Sequence, residues 1–400
     1  MTGCHKTADW QAIGLYHSFL RSQQPGRFVR IAACLPGENA PTKLVPTWTT
    51  QGVIELDHVV YPLFNKPWAL SMYLRHAHVT EDYILVLDSD MLLRRPMLPA
   101  HFRVSESTAA AENMWYLEDL NTILVPELMP DLAVKLDNDA VPGKGRRADE
   151  VGEFYLMHRK DWAVVAPKWY QHSLPVMKMM LHKPQLWQER NLTQTKPWYG
   201  EMYAYTLATA EAGVSHLATN STVFHMRYYH PHGDPHLSHY AWYAEVSNMS
   251  RQWEGKSWQW NKHDYKDFEV ELCPRWNAKQ GLFPDPPLPS ELTTKGGDFI
   301  RDLLSIEAVA LLNEAFCRLH HLRHCSKYDA AAREQCAKVE QLNREIARAW
   351  QGLRQQPGGL HCVDMLPEGV CRKDTCHMKR LKYSEMRNYC RKTCDYCEGP

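Results

Sequence analysis

The chain predicts an α/β fold, a mostly parallel, doubly wound sheet with helices on both faces, and three observations carry that expectation. Helical and β-rich patterns alternate from residue 1 to about 245, the order that strands joined by crossover helices impose. The run YILVL at 83–87 is apolar without alternation, as in a central strand covered on both faces. The 400 residues are 44% hydrophobic and 23% charged, the composition of a globular protein able to pack a core.

The elements follow in order. Residues 9–21 (DWQAIGLYHSFLR) read as a helix with Asp9 as its N-cap, and Pro25-Gly26 ends the segment before a strand over 28–34. Residues 67–76 (PWALSMYLRH) form a second helix with Pro in its first turn, leading into the 83–87 strand. A strand over 153–158, a helix over 160–169 and a helix over 201–212 come next. Beyond Tyr229 the regularity fails: a His-rich and Trp-rich stretch leads to FPDPPLPS at 283–290, which reads as a linker or an extended wrap. Residues 298–354 are helical throughout, and Gly358-Gly359 marks a boundary before a cysteine-dense tail. The expected organisation is a main domain over 1–295, a helical extension over 296–356 and a small module over 360–398, without internal repeats.

Forty-six basic residues balance 46 acidic ones, so no overall field favours nucleic acid or an anionic membrane. No run of 18 apolar residues and no hydrophobic leader is present, so this chain predicts no membrane span. Yet 12 cysteines, half of them in the last forty positions, argue for an oxidising compartment, and sequons at Asn191, Asn220 and Asn248 are compatible with it. We therefore expect the secretory-pathway lumen, endoplasmic reticulum or Golgi, with a targeting or anchor segment missing upstream.

The 83–87 strand ends on Asp88-Ser89-Asp90. In extended backbone Asp88 and Asp90 project to one side, where they repel each other unless a cation sits between them. Ligands of open α/β sheets gather at the carboxyl ends of strands, and oxygen donors with room for phosphate suit Mn²⁺ or Mg²⁺. Such an ion would stabilise a departing diphosphate, the arrangement of GT-A glycosyltransferases. A strand end followed by a capped turn is the bland alternative, and pattern alone leaves both open. The second triplet, Asp137-Asn138-Asp139, has a loop setting and reads as a solvated turn. For a third ligand, the stretch 225–239 offers His225, His230, His232, His236 and His239; His239 is favoured because it precedes a possible final strand, and the others read as structural.

Several segments together resemble the algal peptidyl serine α-galactosyltransferases and, more distantly, the plant hydroxyproline O-arabinosyltransferases. They are TGCHKTADWQAI (2–13), NKPWAL (65–70), EDYILVLDSDMLLRRP (81–96), GRRADEVGEFYLMHRKDW (145–162), PWYGEMYAY (197–205), KDFEVELCPRW (266–276) and GLFPDPPLPSEL (281–292). The ordered set is specific, although no single piece is. The plant arabinosyltransferases are similar at NKPWA and EMYAY but carry Glu-Pro-Asp where this chain has DSD, which puts it on the galactosyltransferase side.

The resemblance implies a GT-A-like, Rossmann-like catalytic domain that transfers galactose from UDP-galactose to serine hydroxyls of hydroxyproline-rich, extensin-like acceptors, with the α configuration retained. It implies Mn²⁺ or Mg²⁺ on Asp88, Asp90 and His239, and donor contacts from Thr2, Gly3, Asn65, Lys66, Ser89, Arg146 and Arg147. Asp149 would meet a galactose hydroxyl. Glu201, in the first turn of its helix, would be the general base of an inverting enzyme or would position acceptor or galactose in a retaining one. The structural readings remain beside these: a surface lysine at 66, a cap at Asn65, a solvated charge run at 146–149, a dipole-favoured glutamate at 201. Transfer of arabinose from UDP-arabinofuranose, and a non-catalytic glycan- or peptide-binding protein on the same scaffold, are the alternatives.

Cys362, Cys371, Cys376, Cys390, Cys394 and Cys397 resemble the six-cysteine ShK toxin-like module, whose pairing would be 362 with 397, 371 with 390 and 376 with 394; zinc at Cys394 and Cys397 is the competing reading. Among the other cysteines, Cys325 and Cys336 are expected to close a helical hairpin.

Overall fold

The computed structural model describes residues 3–114, 117, 120–133, 148–183, 199–226, 234–241, 243–246, 249, 257–270, 273, 282–323 and 330–355. Outside them lie Thr2, Arg146, Arg147, the 137–139 triplet, His230, His232, the sequons at Asn191 and Asn248, Cys325 and the whole six-cysteine segment.

In chain order the elements begin with α1 (Lys6–Arg21), β1 (Arg30–Cys34), β2 (Thr47–Gln51), β3 (Glu55–Leu56), β4 (Val59–Val60), α2 (Asn65–His76), β5 (Tyr83–Val86), β6 (Met91–Leu93) and β7 (Thr108–Asn113). After two short helices, α3 (Val125–Leu128) and α4 (Pro130–Ala133), come β8 (Val151–His158), α5 (Arg159–His182), α6 (Gly200–Ala212), β9 (Ser215–Thr219), β10 (Val223–His225) and β11 (Leu237–His239). Strands β12 (Tyr243–Val246) and β13 (Trp258–Asn261) and the long helices α7 (Gly296–Leu322) and α8 (Ala330–Gln355) complete the order. No helix among the described residues is long and apolar enough to cross a membrane.

The chain divides into two compact units. One comprises Met1–Ala8, Pro25–Ser89 and Met97–Asn220. Its main sheet runs β5-β8-β7-β9, with β8 antiparallel to both β5 and β7 and only β7–β9 parallel, while β1 and β2 form a separate parallel pair. The expectation of a mostly parallel sheet is thus corrected: alternation of helix and strand patterns reveals which segments are strands but not the direction in which each enters the sheet. The 83–87 run is corrected as well. Strand β5 ends the described four-strand order, and only Val86 in it is fully buried. In this four-strand order the strand buried along its whole length is β8.

Between Ala111–Tyr155 and Glu112–Gly152 the β7–β8 register slips, and at that bulge Glu153 has φ 67°, a left-handed conformation that redirects its side chain. Gly152 beside it cannot carry a side chain without displacing Met114 and Met202, since an added Cβ would fall 2.9 Å from Met114 Cγ and 2.1 Å from Met202 Cε. Helix α5 runs on to His182, well past the expected end at Trp169, through Pro167 and Pro175. A mid-helix proline is disfavoured by about 3 kcal/mol, but burial of Trp162, Val165, Trp169, Val176 and Met177 on one helix outweighs the two lost bonds. Tyr155 stacks on Tyr205 at 3.7 Å between ring centroids, and Trp162 and Trp169 close the cluster.

The second unit comprises Asp9–Gln24, Asp90–Pro96 and Ser221–Pro400. Its axis is α7, in which Ile300, Leu304, Val309, Leu312 and Phe316 are all buried. The amphipathic α8 packs against it and is tied to it by a Cys317–Cys336 disulfide, so Cys336 pairs with Cys317 and not with Cys325. The sequence pattern could not choose between them, because both cysteines precede α8 within hairpin reach. The aromatic stretch read as a linker or an extended wrap is part of the core: β12 and β13 form an antiparallel hairpin, and Trp260 packs against Trp10, Tyr240 and Phe283. Asn313 pins Phe283 from both sides, accepting from its N–H at 2.8 Å and donating to its carbonyl at 3.1 Å. Apolar residues spaced irregularly in a proline-rich loop carry no period, which hides such a cluster from periodic analysis. Helix α1 begins at Lys6, a turn before the expected Asp9 cap, with His5 Nδ1 accepting from the Ala8 N–H at 3.2 Å.

Candidate active site

In the first unit, α2 starts at Asn65 and carries Lys66 in its first turn, 8% exposed. The Lys66 Nζ lies 2.7 Å from Asp88 Oδ1 and 3.0 Å from Glu201 Oε1, so one ammonium holds two carboxylates. It also faces the rings of Tyr155 and Trp169 at 5.7 and 5.9 Å, where the negative faces of the rings add to its stabilisation. Burial works against the ammonium, but Asp88 and Glu201 outweigh it and hold the lysine above its ordinary pKa.

Glu201 stands in the first turn of α6. Its backbone N–H donates to the Tyr61 hydroxyl at 3.1 Å, and its carbonyl accepts from Trp169 Nε1 at 2.7 Å. Burial raises its pKa, Lys66 offsets part of that rise, and the charges of Asp88 and Glu153 add to it. Its second oxygen, Oε2, is buried and has no hydrogen-bond partner among the described residues. A buried glutamate with one oxygen anchored and the other unused is arranged to receive a donor from outside the protein.

Asp149 Oδ2 accepts from the backbone N–H of His216 at 2.9 Å and lies 3.0 Å from His216 Nδ1. His216 Nε2 in turn meets the Tyr205 hydroxyl at 2.8 Å, and burial with the Asp149 charge keeps that phenol far above its ordinary pKa. Asn121 clasps Ala148 through both its N–H and its carbonyl, at 2.9 and 2.8 Å, which fixes the backbone next to Asp149.

In the second unit, β11 pairs antiparallel with β6, His239 opposite Met91. That register, with the Tyr240 N–H donating to the Asp90 carbonyl at 3.0 Å, brings His239 Nε2 to 3.4 Å from Asp90 Oδ1. The other oxygen of Asp90 accepts from Lys262, which opens the 3₁₀ turn following β13. Burial would raise the Asp90 pKa, but the Lys262 and His239 charges hold it well below the usual carboxylate range. Asp90 and His239 set a carboxylate and an imidazole side by side, a mixed oxygen and nitrogen donor pair of a kind that suits Mn²⁺ better than Mg²⁺.

Of the remaining expected site residues that are described, Asn65 and Gly3 have structural partners. Asn65 Oδ1 accepts from the Val53 N–H at 2.5 Å, and the Gly3 carbonyl accepts from Arg30 at 3.0 Å beside the Cys4–Cys34 disulfide. Ser89 lies partly exposed between the two aspartates. His236 donates from Nδ1 to the Pro96 carbonyl, 3.0 Å away, in keeping with its structural reading. Lys262, Tyr61, Glu153, Tyr205 and His216 were not singled out by the sequence. Lys262, Tyr61 and His216 meet Asp90, Glu201 and Asp149 from distant segments, which no local spacing announces.

Residues 2–218 match the hydroxyproline O-arabinosyltransferase family N-terminal domain, more than half of the chain. The chain belongs to the hydroxyproline O-arabinosyltransferase family. Among this family's relatives, a peptidyl serine α-galactosyltransferase of Chlamydomonas reinhardtii is 30% identical over 99% of this chain and 54% of its own length. One of Arabidopsis thaliana is 29% identical over 81% of the chain and 38% of its own. The hydroxyproline O-arabinosyltransferase 1 of Arabidopsis thaliana is 23% identical over 66% and 69%. The chain thus spans about half the length, or less, of the two serine galactosyltransferases it matches. A galactosyltransferase solved with donor and acceptor sugar analogues, LgtC, overlaps 60% of this chain and 86% of its own at 11% identity and a TM-score of 0.33, too loose a likeness to inform the fold. Lys66, Asp88, Asp90, Asp149 and Glu201 fall inside the family match, and His239 and Lys262 beyond it.

Proposed function

We propose that this chain is the catalytic part of a metal-dependent GT-A-type glycosyltransferase that moves galactose from UDP-galactose to serine hydroxyls of hydroxyproline-rich peptides, in the lumen of the secretory pathway, with the α configuration retained. The observation that carries the reading is the Asp88-Ser89-Asp90 triplet: a lysine engages each aspartate, and the same lysine that holds Asp88 also holds the buried Glu201. The similarity along nearly the whole chain to a protein named peptidyl serine α-galactosyltransferase supports the choice of sugar and acceptor.

In this reading Asp88, Asp90 and His239 hold Mn²⁺ or Mg²⁺. The ion would supply Lewis-acid stabilisation of the departing diphosphate. Lys66 keeps the Asp88 and Glu201 carboxylates in place and supplies positive charge beside the donor. Glu201, through its unused oxygen, orients a hydroxyl of the acceptor or of galactose, and its raised pKa lets it share a proton with that hydroxyl. Asp149, braced by His216, receives a galactose hydroxyl, and Arg146 and Arg147 meet the phosphates.

The test is transfer from a panel of UDP-sugars to a Ser-hydroxyproline peptide, with and without Mn²⁺. UDP-galactose with Mn²⁺ is expected to be the productive combination, and Asp90→Asn to abolish transfer in a variant that circular dichroism shows to be folded at the assay temperature. Full turnover by that variant, or by enzyme stripped with EDTA, ends the metal-dependent reading. The family description and the arabinosyltransferase relatives favour a second reading, transfer of arabinose from UDP-arabinofuranose to hydroxyproline, which the same panel separates from the first.

A further inference from the structure

We infer that Lys262 is a restraining cation, a residue that keeps a divalent ion from binding strongly at Asp90 and His239 until an anionic nucleotide diphosphate is present. This rests on the reading of those two residues as metal ligands. In the second unit Asp90 and Lys262 are both largely buried, at 14% and 13% side-chain exposure, and the ammonium sits directly on Asp90 Oδ2. Oδ1 faces the His239 ring. The aspartate charge is therefore already matched inside the protein, and the neighbouring imidazole adds no negative charge.

An entering divalent ion must share Asp90 with an ammonium only a few ångströms away or push it aside. Either course weakens binding, because like charges at that separation repel strongly in a partly buried setting. The backbone under the lysine is fixed, so only its side chain can swing aside: it leaves β13 at the start of a 3₁₀ turn whose cap, Asn261, accepts from the His263 N–H at 3.0 Å, and β13 is laddered to β12. A diphosphate changes the balance by bringing negative charge that satisfies ion and ammonium together. Ion and nucleotide then strengthen each other's binding reciprocally. The first unit follows the same rule, with Lys66 on Asp88.

Mn²⁺ binding to the full chain, followed by loss of the free-ion EPR signal with and without UDP, tests this. Wild type is expected to bind Mn²⁺ weakly alone and at least about tenfold more tightly with UDP. Lys262→Met and Lys262→Gln should bind Mn²⁺ alone about tenfold more tightly than wild type and lose most of the UDP enhancement, as the removal of one nearby charge requires. Lys262→Arg should restore wild-type behaviour. Circular dichroism melts identify any variant that fails to fold, in which case the other neutral variant and the wild-type comparison carry the test. Unchanged or weakened Mn²⁺ binding in the folded neutral variants, or equal binding by wild type with and without UDP, overturns the restraining role and leaves the metal site standing. Absence of Mn²⁺ binding in wild type under both conditions, or binding untouched by Asp90→Asn, removes the metal reading and this inference with it.

Discussion

Lys66 concentrates the demands of the first unit's site on one atom. Replacing it with Met leaves Asp88 and Glu201 without their shared counter-charge, and removing one partner of a buried ion pair is destabilising by about 3–5 kcal/mol; a lowered urea midpoint, together with lost transfer, is the expected result. Glu201→Gln preserves shape and the Lys66 contact. It should melt within a few degrees of wild type yet lose at least about tenfold in turnover if the carboxyl handles a proton, whereas unimpaired turnover would assign Glu201 to structure. At this scale the sequence was legible where chemistry is local: the two aspartates follow a strand pattern, and Lys66 and Glu201 open helices. Lys262, Tyr61 and His216 were illegible because each meets its partner across more than 60 residues, and no spacing encodes such a meeting.

At the scale of elements, the long helices and the strands β1, β5 and β8 were legible in the sequence, the other ten strands were not, and limits were misjudged where tertiary burial overrides local preference. Helix α5 passes two prolines because its aromatic face is core, and the Trp260 hairpin hides in a segment that reads as loop. Trp260→Ala should therefore behave as a core truncation, with a loss of about 3–5 kcal/mol in equilibrium unfolding; a loss under 1 kcal/mol would return the segment to a peripheral role. The Cys317–Cys336 bridge closes a loop with a sequence separation of 19, for which chain entropy predicts a contribution of about 3 kcal/mol. Cys317→Ala with Cys336→Ala should lower the melting temperature accordingly, with no effect on UDP binding.

For the whole molecule, acid sensitivity follows from carboxylates stabilised in the folded state. The Arg27 side chain holds Glu81 down to about 2 from its ordinary 4.5, and Asp234, despite burial, is kept low by Arg94 and Arg354. A carboxyl whose folded pKa lies below its unfolded value adds stability that is complete above the unfolded value and vanishes as pH falls through the folded one. Melting temperature should thus decline as pH drops from 4.5 toward 2, and Arg27→Leu should flatten that decline in the first unit; a flat profile in wild type contradicts the assignment. Sheet direction lay beyond the sequence, since β8 is antiparallel to both neighbours for reasons of chain path that no run of residues announces. The Asp149–His216–Tyr205 chain has a practical use at this same scale. A ring N–H sealed from solvent, with both nitrogens of the imidazole occupied, exchanges with water only when the surrounding sheet opens. Nuclear magnetic resonance of that single proton would time the opening of the first unit without any substrate in the tube.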